Sequence, residues 1–208
     1  MKDKSNKQFW QRVARLYTPL QEKSNLSLYN ELCRLIEPEL LGKTKNLEFA
    51  CGTGQLTFRI VKEDMLWFAI DYAEKMIAEA KKRGTQNNIL YEVQDATKLT
   101  YRDSFFDCVI IANALHIMPE PEKALAEIKR VLKPDGILLA PTFTHKNMGI
   151  RAKAKSRLLR LFGFPLYHSW SPESYCDFLQ ENGWKIEKQV VIEASFPMTY
   201  VKCRKRVT

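Results

Sequence analysis

The segment from Asn46 to Phe58, with the sequence NLEFACGTGQLTF, constrains the fold of this chain more than any other. An apolar run that contains Glu48 leads into Gly52 and Gly54, and a helix-like pattern follows. Glycine adopts positive φ without strain and leaves the backbone open to a close ligand. Such a turn between a buried parallel strand and a helix predicts an α/β sheet whose free backbone N–H groups face a nucleotide-like ligand.

A second acidic residue follows at the spacing that such sheets use for a ribose. Asp71 ends the next apolar run, Met65–Ile70, and lies 19 residues beyond Gly52. An acid at the tip of the second strand, about 20 residues past the glycine turn, binds ribose hydroxyls in Rossmann-like sheets. A dinucleotide fingerprint also needs a small residue where Thr57 stands, so the sequence disfavours a nicotinamide cofactor.

Composition limits the remaining classes of protein. The chain has 208 residues and is 45% hydrophobic, which suits one α/β domain over residues 1–208. No stretch approaches the roughly 20 apolar residues of a membrane span, and the start of the chain lacks the apolar core of a signal peptide. The five cysteines are scattered and never spaced Cys-x-x-Cys, which argues against disulfides and a zinc site. We expect a cytoplasmic protein without a bound metal.

Three further stretches accompany the Glu48–Gly54 turn. They are the strand-like Phe105–Ile111, its exit Ala112–Pro119, and the helix end Leu132–Gly136. Together these motifs closely resemble class I S-adenosylmethionine (SAM)-dependent methyltransferases, and in particular the methyltransferase type 11 group, which includes enzymes of quinone and phospholipid methylation. Ala50 departs from the first glycine of the family's usual Asp/Glu-x-Gly-x-Gly-x-Gly motif.

The resemblance implies that the cofactor is SAM and that successive strand tips bind it. By analogy, the Asp95 carboxylate accepts a hydrogen bond from the adenine amino group, and Tyr72 covers one face of adenine. Taken alone, Asp95 would be interpreted as a helix cap, and a methionine in a helix, such as Met76, is more often a core residue than a cofactor contact. The residues that the resemblance predicts at the cofactor are Tyr17, Glu48, Ala50, Cys51, Gly52, Gly54, Asp71, Tyr72, Met76, Asp95, Ala96 and Asn113.

The resemblance also indicates which residues face the methyl acceptor. His116 lies in the strand exit on the side where the family binds its substrate, and we predict it as the first candidate for a general base. Tyr17 and His168 are the next candidates. A base is needed only where the accepting atom arrives protonated, as in a phenol or a carbon acid.

We predict a Rossmann-like, seven-stranded and mainly parallel sheet with helices on both faces and a C-terminal antiparallel hairpin. Residues 1–40 precede the sheet as a helical cap with helices over about 6–18 and 25–37. Residues 144–170 are predicted as a lid-like insertion. Within it, residues 150–162 form a basic amphipathic pattern, which suits a lid, a peripheral contact with an anionic membrane or a packing helix.

Three classes of function remain open on the sequence. A methyltransferase that acts on a small-molecule or lipid-like acceptor by in-line displacement is favoured. A nucleic-acid or protein methyltransferase is the second class, because residues 144–208 carry a net charge of +7 out of +9. No nucleic-acid motif accompanies that charge, so a nucleic-acid partner is disfavoured. The third class is a non-enzymatic protein that binds SAM.

Overall fold

The structure, a computed structural model, describes residues 2–144, 164–194 and 196–206. Within these ranges eight strands form one sheet. The strands are β1 Lys45–Phe49, β2 Leu66–Asp71, β3 Ile89–Val93, β4 Phe106–Ile111, β5 Leu132–Leu139, β6 Thr142–Phe143, β7 Trp184–Ile192 and β8 Met198–Lys205. The helices are α1 Lys2–Ile36, α2 Thr57–Ile60, α3 Glu74–Arg83, α4 Pro121–Val131 and α5 Pro172–Glu181, with 3-10 turns at Glu37–Leu40 and Leu115–Ile117.

The first five strands are parallel and run in the order β3-β2-β1-β4-β5. Strand β8 then pairs antiparallel with β5 through Leu138–Cys203 and with the short β6 through Thr142–Thr199. On its other edge β8 pairs antiparallel with β7. Strands β5 and β6 therefore share one edge of β8, and the predicted mainly parallel sheet with its C-terminal hairpin is confirmed, with β6 as an additional short strand.

Side chains alternate between the two faces of the sheet, and each face is covered by helices. Leu47 and Phe49 of β1 join a buried cluster that includes residues of α4 and α5. The opposite face, with Trp67 and Ala69 of β2, packs against residues of α1, α2 and α3. The inner parallel strands β2 and β4 are largely buried on both faces, which explains their near-continuous apolar sequences.

Helix boundaries differ from the sequence prediction at three places. The two predicted N-terminal helices are one span, α1, with a break at Asn25, where φ is −135° and ψ is 18°. The helix-like pattern after Gly54 gives only the short helix Thr57–Ile60. The turn predicted at Lys133–Gly136 is wrong, because these residues lie in β5, where the pairing with β4 shifts from Phe106–Leu132 to Cys108–Ile137.

Helix α5 begins with Ser171 as the N-cap and Pro172 as the first helical residue, where the missing N–H of proline is not needed. The basic helix predicted over 150–162 lies outside the described residues. Among the residues that the structure describes, no helix has the length and apolar character needed to cross a membrane.

Candidate functional site

A cavity of about 570 Å³ opens where the carboxyl ends of the parallel strands meet. We name its two sides by their residues. The sheet-edge wall comprises Ala50, Gly52, Asp71, Asp95 and Asn113. The α1 wall comprises Asn6, Trp10 and Tyr17. The volume lies in the range of pockets that hold a cofactor or a drug-sized ligand.

Every second residue of the glycine turn, from Ala50 to Gly54, has a left-handed backbone conformation. Gly52 has a φ of 58° and Gly54 a φ of 78°. A Cβ at Gly52 would lie 3.6 Å from the ring of Tyr17, and a Cβ at Gly54 would lie 2.6 Å from the ring of Phe58. Ala50 also has a positive φ, 48°, which a side chain makes unfavourable. This conformation explains why a glycine is usual at the Ala50 position in the family that the sequence resembles.

Asp71 ties the glycine turn to the beginning of α3. Its Oδ2 accepts a hydrogen bond from the backbone N–H of Gly52 at 2.9 Å. Its Oδ1 accepts from the backbone N–H of Ala73 at 2.8 Å. Loss of solvent raises the pKa of the Asp71 carboxyl to about 6, although these backbone hydrogen bonds oppose the shift.

Glu48 lies behind the sheet-edge wall and supports the turn from below. It is 2% exposed, and its Oε2 accepts from Thr57 Oγ1 at 2.7 Å and from Trp67 Nε1 at 2.9 Å. Burial raises its pKa to about 7 despite these donors. Thr57, which interrupts the dinucleotide fingerprint, is thus one of the two side chains that satisfy the buried carboxylate.

Asp95 lies at the exposed end of β3 and lines the cavity. Its Oδ1 accepts hydrogen bonds from the backbone N–H and the hydroxyl of Thr97, both at 2.8 Å. The residue therefore caps a local turn, as its isolated sequence context suggests. A carboxylate has two oxygens, so this cap leaves Oδ2 available for a ligand.

The α1 wall is aromatic. The rings of Trp10 and Tyr17 meet edge to face with centroids 5.8 Å apart, and Phe164 lies 6.0 Å from Trp10 on the other side. Burial, reinforced by the nearby Asp71, raises the pKa of the Tyr17 phenol well above its ordinary value. Tyr17 is therefore a neutral phenol that donates a hydrogen bond and does not take up a proton at neutral pH.

Neither predicted catalytic histidine lines the cavity. His116 is 3% exposed, and its Nδ1 lies 2.9 Å from the Thr142 hydroxyl. Its carbonyl oxygen accepts from the backbone N–H groups of Tyr167 and His168, at 3.1 and 3.0 Å. The His168 ring stacks on Trp170 with centroids 4.9 Å apart. The catalytic roles of His116, Tyr17 and His168 stay predictions.

The cavity brings together most of the residues predicted at the cofactor. Those that line it are Tyr17, Ala50, Gly52, Asp71, Tyr72, Met76, Asp95, Ala96 and Asn113. Glu48, Cys51 and Gly54 are not in the cavity lining. The sequence analysis missed the lining residues Asn6, Trp10, Thr97, Ala112, Ala114, Ile117, Met118, Pro119 and Glu120. Trp10 lies within the helix predicted over about 6–18, but a helix prediction does not indicate which surface a residue covers.

The cavity lining is acidic although the chain is basic. Asp71, Asp95 and Glu120 line it, and none of the described lining residues is Lys, Arg or His. Two buried amide oxygens on its walls, Oδ1 of Asn6 and of Asn113, have no hydrogen-bond partner among the described residues. These groups favour a ligand that is rich in donors and carries positive charge. SAM fits, because it offers ribose hydroxyls, amino groups and a sulfonium.

Comparisons with known proteins agree with this geometry. Residues 47–140 match the family model described as a methyltransferase domain. Demethylmenaquinone methyltransferase of Leptospira interrogans is 32% identical over 139 residues, which cover 62% of this chain and 56% of that protein. The chain therefore spans about half the length of the curated relatives it matches.

Two solved structures share the fold. The DhpI–SAH complex, where SAH is S-adenosylhomocysteine, has a TM-score of 0.77 and 20% identity, and the alignment covers 99% of this chain and 97% of that one. The [4+2]-cyclase SpnF has a TM-score of 0.70 and 20% identity, with 86% of this chain and 81% of that chain covered. The segment that matches the family model runs from β1 to the end of β5 and includes the glycine turn, Asp71 and Asp95, so this part of the chain matches a methyltransferase domain.

Proposed function

We propose that this protein transfers the methyl group of SAM to a small-molecule acceptor that carries a flat apolar ring. The observation that supports this proposal is the combination of two walls in one cavity. The sheet-edge wall presents carboxylates and the backbone of the glycine turn to a cofactor. The α1 wall presents the rings of Trp10 and Tyr17 to an acceptor. Aromatic side chains favour flat apolar partners.

SAM, when bound, supplies a methyl group attached to a positively charged sulfur. The sulfur is a good leaving group, because it becomes a neutral thioether when the methyl group is transferred. The protein's own residues have three tasks. Asp71 and Asp95 accept hydrogen bonds from the nucleoside, and the open backbone at Gly52 lets the ligand approach closely. The α1 wall excludes water from the cavity and, with the β4 exit at Asn113, fixes the direction from which an acceptor approaches.

The handling of the acceptor's proton follows from the titratable groups in the cavity. Tyr17 is a neutral phenol, and the described lining residues include no imidazole. We therefore propose an acceptor atom that loses its proton without an imidazole base, such as an ionisable phenol or an amine. The name of the Leptospira relative, demethylmenaquinone methyltransferase, supports a quinol-like ring as the first class to assay.

The same lining disfavours a nucleic-acid acceptor. Carboxylates at Asp71, Asp95 and Glu120 would repel a phosphate backbone at the cavity mouth. A second candidate function is SAM binding without methyl transfer. The position of His116 favours this candidate, because its buried ring does not line the cavity. The [4+2]-cyclase SpnF also has this fold, so the fold alone does not require methyl transfer.

The test combines ligand binding with a transfer assay. SAM would be titrated calorimetrically into the wild type, Asp71→Ala and the matched control Asp64→Ala, which removes an exposed acid. We expect Asp71→Ala to weaken SAM binding by about 100-fold, because the charge-assisted hydrogen bonds from Gly52 and Ala73 and those from the ligand disappear. The control should bind as the wild type does.

Transfer of radiolabelled methyl from SAM would then be measured with naphthalenediols, catechols, aromatic amines, phospholipid vesicles and RNA. Methylation of the ring compounds supports the proposal. SAM binding with methylation of vesicles or RNA alone would contradict the proposed acceptor class. Failure of the wild type to bind SAM would contradict the proposed function as a whole.

A further inference from the structure

We propose that Asn6 is a cofactor-binding residue whose Oδ1 accepts a hydrogen bond from the adenosine part of SAM. The proposal rests on the proposed function only in that SAM is the ligand of the cavity. It adds a second contact from α1, besides that predicted for Tyr17, on the opposite side of the cavity from the strand tips.

The orientation of the Asn6 amide is determined by its neighbour. Its Nδ2 donates to the carbonyl oxygen of Ile117 at 2.9 Å. Because a carbonyl can only accept, the atom facing Ile117 has to be the nitrogen, and Oδ1 therefore points elsewhere. That oxygen is buried and has no hydrogen-bond partner among the described residues.

The unpaired oxygen belongs to a residue that lines the cavity and is itself 9% exposed. A buried acceptor without a donor destabilises a protein by about 1–3 kcal/mol. Its placement in a cavity wall indicates that the missing donor is a ligand group. A surface asparagine of α1 would meet water without this penalty.

The position of Asn6 along α1 indicates which part of the ligand it meets. Tyr17 lies over Gly52, at the turn between β1 and α2. Asn6 precedes Tyr17 by 11 residues, which places it about 16 Å away along the helix axis. The next residue, Lys7, has its Nζ 4.6 Å from the centroid of the Tyr72 ring and 2.5 Å from Glu74 Oε1.

Asn6 therefore lies between Ile117, to which its Nδ2 donates, and the start of α3, which its neighbour Lys7 contacts. Tyr72, which covers adenine by the family resemblance, immediately precedes α3 and lines the same cavity. The donors of adenosine are its ribose hydroxyls and its amino group, and the carboxylates of Asp71 and Asp95 supply acceptors for them. Asn6 Oδ1 supplies one acceptor more.

The experiment uses SAH and adenosine as probes, because neither requires a methyl acceptor. Each would be titrated calorimetrically into the wild type, Asn6→Ala and Gln11→Ala. Gln11 also holds α1 in place, since its Oε1 accepts from the backbone N–H of Lys75 at 2.9 Å, but it does not line the cavity. The Gln11 variant thus measures the effect of loosening α1 alone.

We expect Asn6→Ala to weaken the binding of SAH and of adenosine by the same factor, about five- to tenfold, which corresponds to one lost hydrogen bond. The affinities of Gln11→Ala for both ligands should stay within about twofold of those of the wild type, because the contact of Gln11 is exposed. Unchanged affinity in Asn6→Ala, or an equal loss in both variants, would overturn the proposal. Absence of SAH binding by the wild type would instead contradict the proposed function.

Asn6→Asp at pH 8 separates a ligand contact from a structural one. The aspartate keeps the acceptor oxygens but cannot donate to Ile117 when ionised. The proposal expects it to bind SAH more tightly than Asn6→Ala does. If the two variants are equally weak, the bond to Ile117 is the function of Asn6 and the proposal is wrong. Melting temperatures of all variants verify that each is folded.

Discussion

The sheet-edge wall and the α1 wall of the cavity are held in place by different kinds of interaction. The sheet-edge wall rests on backbone and buried side-chain hydrogen bonds, such as those of Asp71 to the turn and of Glu48 to Thr57 and Trp67. The first half of α1 is held by a small apolar cluster that includes Ala14 and Met76 and by polar side chains at the surface, for example Lys7 and Gln11 on Glu74. A buried network fixes one geometry, whereas exposed pairs contribute little and exchange readily with water.

This difference separates the tasks of the two walls. The sheet-edge wall can bind the same cofactor in every cycle without rearranging. We expect ligands to enter and leave past the α1 wall, whose helix has a break at Asn25. We therefore expect substitutions behind the sheet-edge wall to change the free energy of unfolding, and substitutions on α1 to change rates of ligand exchange.

The largest effect is expected for Glu48→Gln. Its folded-state pKa of about 7 exceeds the ordinary 4.5, so the folded state holds this proton more tightly than the unfolded state. The stability that Glu48 contributes is fully present below pH 4.5 and is lost as pH rises through about 7. Glutamine removes this loss, so the variant should gain about 3 kcal/mol relative to the wild type between pH 4.5 and 8.

Urea denaturation at pH 5, 6, 7 and 8 measures this gain. Glu63→Gln, at an exposed position, controls for the loss of one negative charge. The difference in unfolding free energy between Glu48→Gln and the wild type should grow with pH. If it stays constant across these pH values, Glu48 does not titrate in this range.

A smaller effect is expected for Gly54→Ala. The substitution forces a side chain into a φ of 78° and against the ring of Phe58, which together should lower the free energy of unfolding by about 2 kcal/mol. Gly42→Ala is the matched control, since Gly42 has a φ of 73° with nothing within 4 Å of the added Cβ. Equal losses in the two variants would mean that the contact with Phe58 contributes nothing.

The smallest effect is expected on the α1 wall. Glu74→Gln removes the ion pair with Lys7 and weakens the contact with Gln11, so SAH should dissociate about two to three times faster. The unfolding free energy should scarcely change. Stopped-flow fluorescence would follow Trp10, which lines the cavity, with Trp10→Phe to identify its signal.

Glu31→Gln, which breaks the exposed pair with Arg34 beyond the Asn25 break, serves as the control for the loss of a surface ion pair. If both variants release SAH at the wild-type rate, the polar contacts of α1 do not limit exchange, and the distinction between the two walls fails at this point.

The two walls also differ in how far the sequence predicts them. The turn, Asp71 and Asp95 were predicted because a glycine spacing and an acid at a strand tip are local patterns with a known geometry. The family resemblance placed Glu48 at the cofactor, but Glu48 lies behind the wall. The alternation of side chains along β1 explains this position, and a comparison of motifs residue by residue does not take it into account. Neither alternation nor resemblance indicated that Thr57 is its partner.

The α1 wall could not be predicted in the same way. Apolar periodicity identified the helix and placed Trp10 on it, but a helical period gives no direction in space. Asn6 carries no pattern at all, because its burial depends on the carbonyl of Ile117, which is 111 residues away in the chain. Contacts of this kind depend on tertiary packing, and a single sequence does not encode them locally.

The hydrogen bond between Thr57 and Glu48 has a consequence for the evolution of this turn. A dinucleotide fingerprint needs glycine or alanine at the Thr57 position, but that single change would remove one of the two donors to a carboxylate that is 2% exposed. The change becomes tolerable only after Glu48 has been replaced, so the two positions are epistatic. A mutational path from this cofactor class to another therefore has a required order, set by a residue that does not line the cavity.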